Sequence, residues 1–217
     1  MDKNDVIKKT EDYVRDTLGG ESSGHDWWHV YRVWKMAKHI GEKEHADMFI
    51  VEIGALLHDI ADYKMHGGDE EIGPNTAREW LESLQVPEAD IEHVCNIIRH
   101  LSFKGANVKS QISTKEGMIV QDADRLDALG SIGIARTFAY GGHKGREMYD
   151  PNVKPVMHSS FEEYKKNNSP TINHFYEKLL LLKDLMNTKT ARQLATGRTK
   201  YMQEYLDKFY KEWEGKE

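Results

Sequence analysis

Apolar residues recur along most of the chain at the three- and four-residue spacing of one helix face. The first such stripe is Val30, Val33, Trp34, Ala37 and Ile40. A wider one, Ile50, Ile53, Leu56, Leu57 and Ile60, lies in residues 49–60 and predicts a central helix packed on more than one side. Further helices are predicted over about 74–84, where Pro74 suits a first turn, over 88–101, and over 115–139, where Ile119, Ala123, Leu126 and Leu129 align. Two more close the chain. One carries Phe175, Leu179, Leu182, Leu185 and Met186, the other Tyr201, Met202, Tyr205, Leu206, Phe209, Tyr210 and Trp213.

Sustained apolar/polar alternation is lacking apart from a short stretch near Gln111–Ser113, so the pattern predicts an all-α fold. Residues 140–170 hold too many helix breakers for a continuous helix: Gly141-Gly142, Gly145, Pro151, Pro155, Asn167-Asn168 and Pro170. This piece reads as one long irregular loop, either a lid over a binding site or a tether to the last two helices, rather than a domain boundary. A single domain over 1–217 is expected.

Composition adds limits. With 39% hydrophobic and 30% charged residues the chain should fold and bury roughly 70% of its unfolded surface, so no metal or disulfide is needed merely to hold it together. One cysteine, Cys95, and no apolar leader point to a cytoplasmic protein, and no stretch is apolar enough for a membrane span. A formal charge of −6 argues against a stable nucleic-acid complex, while a small anion held by a metal or by a few placed cations fits. Oligomeric state is open: the C-terminal aromatic stripe suits either core packing or a second chain.

Chemistry is suggested by His58-Asp59, polar residues set in Gly54-Ala55-Leu56-Leu57-His58-Asp59-Ile60. A buried imidazole and carboxylate are costly unless hydrogen-bonded or bound to an ion. Counting alone decides nothing, because roughly one His-Asp pair is expected by chance in such a composition and the chain has two, His25-Asp26 and His58-Asp59. Context adds weight: His29 opens the Val30/Val33 helix, and Asp124 sits in Gln121-Asp122-Ala123-Asp124-Arg125-Leu126-Asp127 beside another apolar stripe. Two imidazoles and two carboxylates from packed helices suit a divalent ion. At this level His25 competes with His29, and Asp122 or Asp127 with Asp124.

The order His29, His58-Asp59, Asp124 resembles the H…HD…D signature of the HD-domain metal-dependent phosphohydrolases. His25-Asp26-Trp27-Trp28-His29-Val30-Tyr31-Arg32-Val33, Ala55-Leu56-Leu57-His58-Asp59-Ile60 and Ala123-Asp124-Arg125-Leu126-Asp127-Ala128 are similar to its first, second and last motifs. These core motifs span 25–130. Ala139-Tyr140-Gly141-Gly142, His174-Phe175-Tyr176-Glu177-Lys178-Leu179-Leu180 and the Arg198 helix resemble one bacterial subgroup, the YpgQ/YedJ-like HD proteins. The resemblance implies an all-helical fold and one divalent ion held by His29, His58, Asp59 and Asp124, with Mn²⁺ favoured over Mg²⁺, Fe²⁺, Ni²⁺, Co²⁺ or Zn²⁺. His25 then stands behind the ligands, and Asp122 and Asp127 become caps or ion-pair partners on a solvated face.

The same resemblance implies that Asp62, three residues after Asp59, is the general base, the bland alternative being an exposed residue at a helix end. Lys64 and Arg125 would neutralise phosphate charge, and His100, Tyr140, His174 and Lys178 would contact substrate. The adjacent histidines of multinuclear relatives are absent, so His93 and His100 do not make a clear second metal site. The implied reaction is cleavage of a (d)NTP to (d)NMP and pyrophosphate. An HD-type nucleotidase, a cyclic nucleotide phosphodiesterase and a non-catalytic nucleotide sensor are the alternatives.

Overall fold

The computed structural model describes residues 2–19, 26–61, 69, 71–101, 111–156 and 169–217. Nine α-helices and one 3₁₀ segment account for the regular structure of these residues, with no strand among them; Gln111–Ser113 is irregular. The chain clusters into two compact units that meet in sequence at Asp124/Arg125.

The first unit is built on α3 (Met48–Leu57), in which every residue after Met48 is buried. Around it lie α1 (Lys3–Leu18), α2 (Trp27–Glu44) and α5 (Glu88–Leu101), and α4 (Ile72–Ser83) pairs with α5. The predicted stripe of α2 is buried as expected: Val30, Val33, Ala37 and Ile40 are inaccessible to solvent. Asp47 starts α3 by accepting a hydrogen bond from Phe49 N. α2 ends where His45 turns left-handed (φ 54°) and its N–H donates to Gly41 O. Between the two helices Glu52 is buried, accepting from Trp34 Nε1 at 2.9 Å and Lys38 Nζ at 3.0 Å.

Two helices of this unit, α1 and α3, differ from the pattern read in the sequence. α1 escapes the periodicity, because only Val6, Thr10 and Val14 are buried in an otherwise charged segment. α4 by contrast holds Pro74 at its third position, inside the first turn as expected. α3 ends at Leu57, so His58 caps the most apolar helix and Asp59 lies in the turn beyond it, not inside it.

The predicted 115–139 helix is in fact two, α6 (Lys115–Asp127) and α7 (Gly130–His143). In the second unit Gly130 breaks the run with φ +72°, and Arg198 side-chain carbons lie 3.1–3.5 Å from where its Cβ would stand. Only glycine adopts that backbone without strain while admitting so close a neighbour. The loop expected from residue 140 therefore begins after His143; residues 144–156 are turns and irregular chain, and the rest of the expected loop up to 168 lies outside the described residues. The Phe175–Met186 segment is a short helix, α8 (Asn173–Glu177), a break at Lys178, and a 3₁₀ segment (Leu179–Leu185). α9 (Lys189–Trp213) packs on α7 and on the 3₁₀ segment. The C-terminal aromatics pack within the chain: Tyr149 meets Phe209, Tyr210 and Trp213 edge-on at 5.1–5.9 Å.

Candidate metal centre

The N-terminus of α2 sets the first donor. Asp26 Oδ1 accepts from His29 N at 2.9 Å, which fixes the opening turn and with it the His29 backbone. Trp27, buried in the same turn, anchors it to the core. The second donor comes from the end of α3, where His58 Nδ1 lies 2.8 Å from Ala55 O. A carbonyl can only accept, so Nδ1 carries the proton and, in the neutral ring, Nε2 presents its lone pair inward.

These two Nε2 atoms face each other at 3.3 Å. Asp59 Oδ2 stands 3.3 Å from His29 Nε2 and 3.4 Å from His58 Nε2. Asp124 Oδ1, on α6, is 3.5 Å from His29 Nε2. Ligand atoms of His29, His58 and Asp59 all lie within 4.8 Å of one another, and both histidines are buried. Of the four residues expected to hold the ion, three thus form one compact group and the fourth adjoins it.

Electrostatics favour a cation at this point. Burial alone would push His58 down, yet the charge of Asp59, its hydrogen bond, and the charge of Asp124 outweigh burial and raise the pKa to about 9. Two carboxylates beside two converging imidazoles need positive charge, which a proton or a divalent ion can supply. A donor set of two nitrogens and carboxylate oxygens, buried on one side and with Asp124 partly exposed, fits a divalent ion with coordination positions left open. A bound ion of this kind supplies a Lewis acid that polarises a phosphoryl oxygen and acidifies water.

Of the other expected residues, Asp62, Lys64 and His25 lie outside the described residues. Arg125 donates through Nη1 to the backbone carbonyl of Leu185. His100 Nδ1 is 2.6 Å from Asn96 Oδ1 and 3.0 Å from Asn96 O. Tyr140 is exposed on α7, with Lys144 Nζ and Arg146 Cζ 5.6 and 5.8 Å from its ring centroid. His174 is the second residue of α8 and is half-buried. Burial, together with the positive charges of Lys178 and Arg146, pushes its pKa down to about 3, so it is neutral at pH 7.

Sequence reasoning overlooked several groups. Asp26 is a cap that its place before the Trp27 helix already signals. Glu52 reads as a polar interruption of an apolar run, and Arg146 carries no motif at all. Asp122 is fully buried, and Asp127, 5% exposed, pairs with Arg136 at 2.6 Å. The ion pair expected of Asp127 is thus present, but the solvated face expected for both residues is not, since both carboxylates are buried.

The HD domain family matches residues 27–129. The Bacillus subtilis protein YpgQ is 40% identical over 212 residues, covering 94% of this chain and 91% of its own. Among solved structures, an HD-superfamily hydrolase from Bacillus thuringiensis has a TM-score of 0.78 at 47% identity, covering 98% of this chain and 99% of that one. Bacillus subtilis YpgQ crystallised with ADP has a TM-score of 0.75 at 35% identity, covering 97% of this chain and all of its own.

Proposed function

The chain belongs to the HD domain family of metal-dependent phosphohydrolases, and from that premise we propose that it cleaves (d)NTPs to (d)NMPs and pyrophosphate. The observation that carries the reading is the convergence of His29, His58 and Asp59 within 4.8 Å, with Asp124 adjoining. The ADP complex of YpgQ supports a nucleotide as the ligand.

His29, His58, Asp59 and Asp124 would hold one divalent ion, Mn²⁺ being the favoured one. In this reading Asp62 is the general base, receiving the proton of the attacking water as it approaches the α-phosphorus. Lys64 and Arg125 balance phosphoryl charge, a task for which a guanidinium offers a fork and an ammonium a point charge. Arg125 must then share its guanidinium between substrate and the Leu185 carbonyl. Tyr140, His174 and Lys178 would contact the base or the phosphates, and His100, hydrogen-bonded to Asn96, would be a further substrate contact.

The test is product identity. Metal-stripped protein reloaded with Mn²⁺ or Mg²⁺ is incubated with the four dNTPs and with dAMP, beside Asp124→Ala and Asp62→Asn variants, and products are separated by chromatography. Pyrophosphate and dNMP, lost in both variants, are expected. Orthophosphate from dAMP would move the protein to the nucleotidases, and binding without turnover would make it a sensor.

A further inference from the structure

A cleft of about 480 Å³ opens between the 3₁₀ segment and α9 of the second unit, and none of its lining residues belongs to the metal centre. Lys183, Arg192 and Lys200 supply three positive charges against the single carboxylate of Asp184, in a chain whose formal charge is −6. Arg192 is held in place, its Nε donating to Met186 O and its Nη2 to Asn187 O, both at 3.0 Å, which leaves Nη1 for a ligand. Lys183 has no ion pair among the described residues, and Lys200 has only a 3.7 Å pairing with Glu204 on the exposed surface.

The second observation is Thr199. It is 2% exposed, lines the cleft, and its hydroxyl has no hydrogen-bond partner among the described residues. A helical threonine usually donates to the carbonyl four residues back, as Thr196 does to Arg192 O one turn earlier at 2.8 Å. Thr199 does not, and a buried hydroxyl left in this way carries a desolvation penalty that an acceptor atom in the cleft would relieve. Gln203, one turn further along α9, adds an amide that can both donate and accept.

Three cations, a hydroxyl and an amide around a space larger than a single oxyanion match a ligand with several acceptor oxygens on a small body. We propose that this cleft is a second ligand site, which binds a small phosphorylated molecule through Lys183, Arg192, Lys200 and Thr199.

The experiment uses the full chain in EDTA, so that the metal centre takes no part. Methyl resonances of Thr196 and Thr199 are followed by NMR while inorganic pyrophosphate, AMP, citrate or sodium chloride is added at matched ionic strength. Saturable shifts with pyrophosphate or AMP are expected, weakened at least tenfold in Lys183→Ala/Lys200→Ala and severalfold in Thr199→Val. Thr199→Val should also raise the thermal midpoint of the ligand-free chain, since it removes the unsatisfied hydroxyl at constant shape. Shifts that never saturate, citrate binding as tightly as pyrophosphate, or an affinity unchanged in the double variant would each overturn the proposal.

Discussion

Replacing Asp26 tests whether the α2 cap positions the metal centre. Asp26 Oδ1 takes the His29 N–H, one of the donors that the first turn of a helix leaves unsatisfied. Asp26→Ala removes that acceptor and the carboxylate's favourable interaction with the helix dipole, for a combined cost of about 1–2 kcal/mol. For a chain of this length the thermal midpoint should fall by roughly 3–7 °C. Full fraying of the turn would carry the whole cost into ion binding, a loss of about 5–30-fold. Burial of Trp27 and His29 resists that fraying, so Mn²⁺ affinity should drop by less than about tenfold while stability takes the full loss. Asp26→Asn keeps a capping oxygen and discards the charge, and should lie within about 0.5 kcal/mol of the parent. Urea unfolding and calorimetric Mn²⁺ titration of the two variants read both quantities. If Asn proves as damaging as Ala, the charge of Asp26 and not its hydrogen bond to His29 is what matters, and the reasoning fails.

Glu52→Ala should cost about 3 kcal/mol in urea unfolding, because it strands the Trp34 N–H in the core, whereas Glu52→Gln keeps an acceptor and should cost about 1 kcal/mol; equal losses would refute the role given to Trp34. Gly133→Ala would place a Cβ 2.2 Å from Ala128 O, a backbone atom that cannot step aside, so a loss of about 3 kcal/mol in the same assay is expected, and a neutral result would mean the α6–α7 corner is loose. His174 is held neutral down to about pH 3, while the unfolded chain protonates it near 6.5. Its contribution is therefore unchanged above pH 6.5 and turns destabilising as pH falls from there towards 3, with a slope of at most ~1.4 kcal/mol per pH unit. His174→Gln should flatten that part of the urea-midpoint profile, and an unchanged profile would show that the imidazole is solvated.

What the sequence makes legible follows from range. The stripes of α2 and α3 are local and dense, and polar residues stand out at their edges, so His29 and His58 are conspicuous from the chain's own pattern. α1 is the opposite case: its helix depends on burying three residues spaced by four, a signal its charged neighbours dilute. The break at Gly130 is invisible because a glycine inside a helical pattern is usually tolerated, and what makes it a corner is Arg198, distant in the chain, lying against it. Adjacent residues on a helix also diverge by about 100°, so the order Asp124-Arg125 does not imply a shared task. Asp124 reaches His29, while Arg125 donates to the Leu185 carbonyl. A guanidinium already bound to a carbonyl can take a phosphate only through its remaining N–H groups, so Arg125→Lys, which loses the fork, should separate the two roles. If the carbonyl bond is its main task, stability falls and KM stays; if phosphate is, KM rises at constant stability.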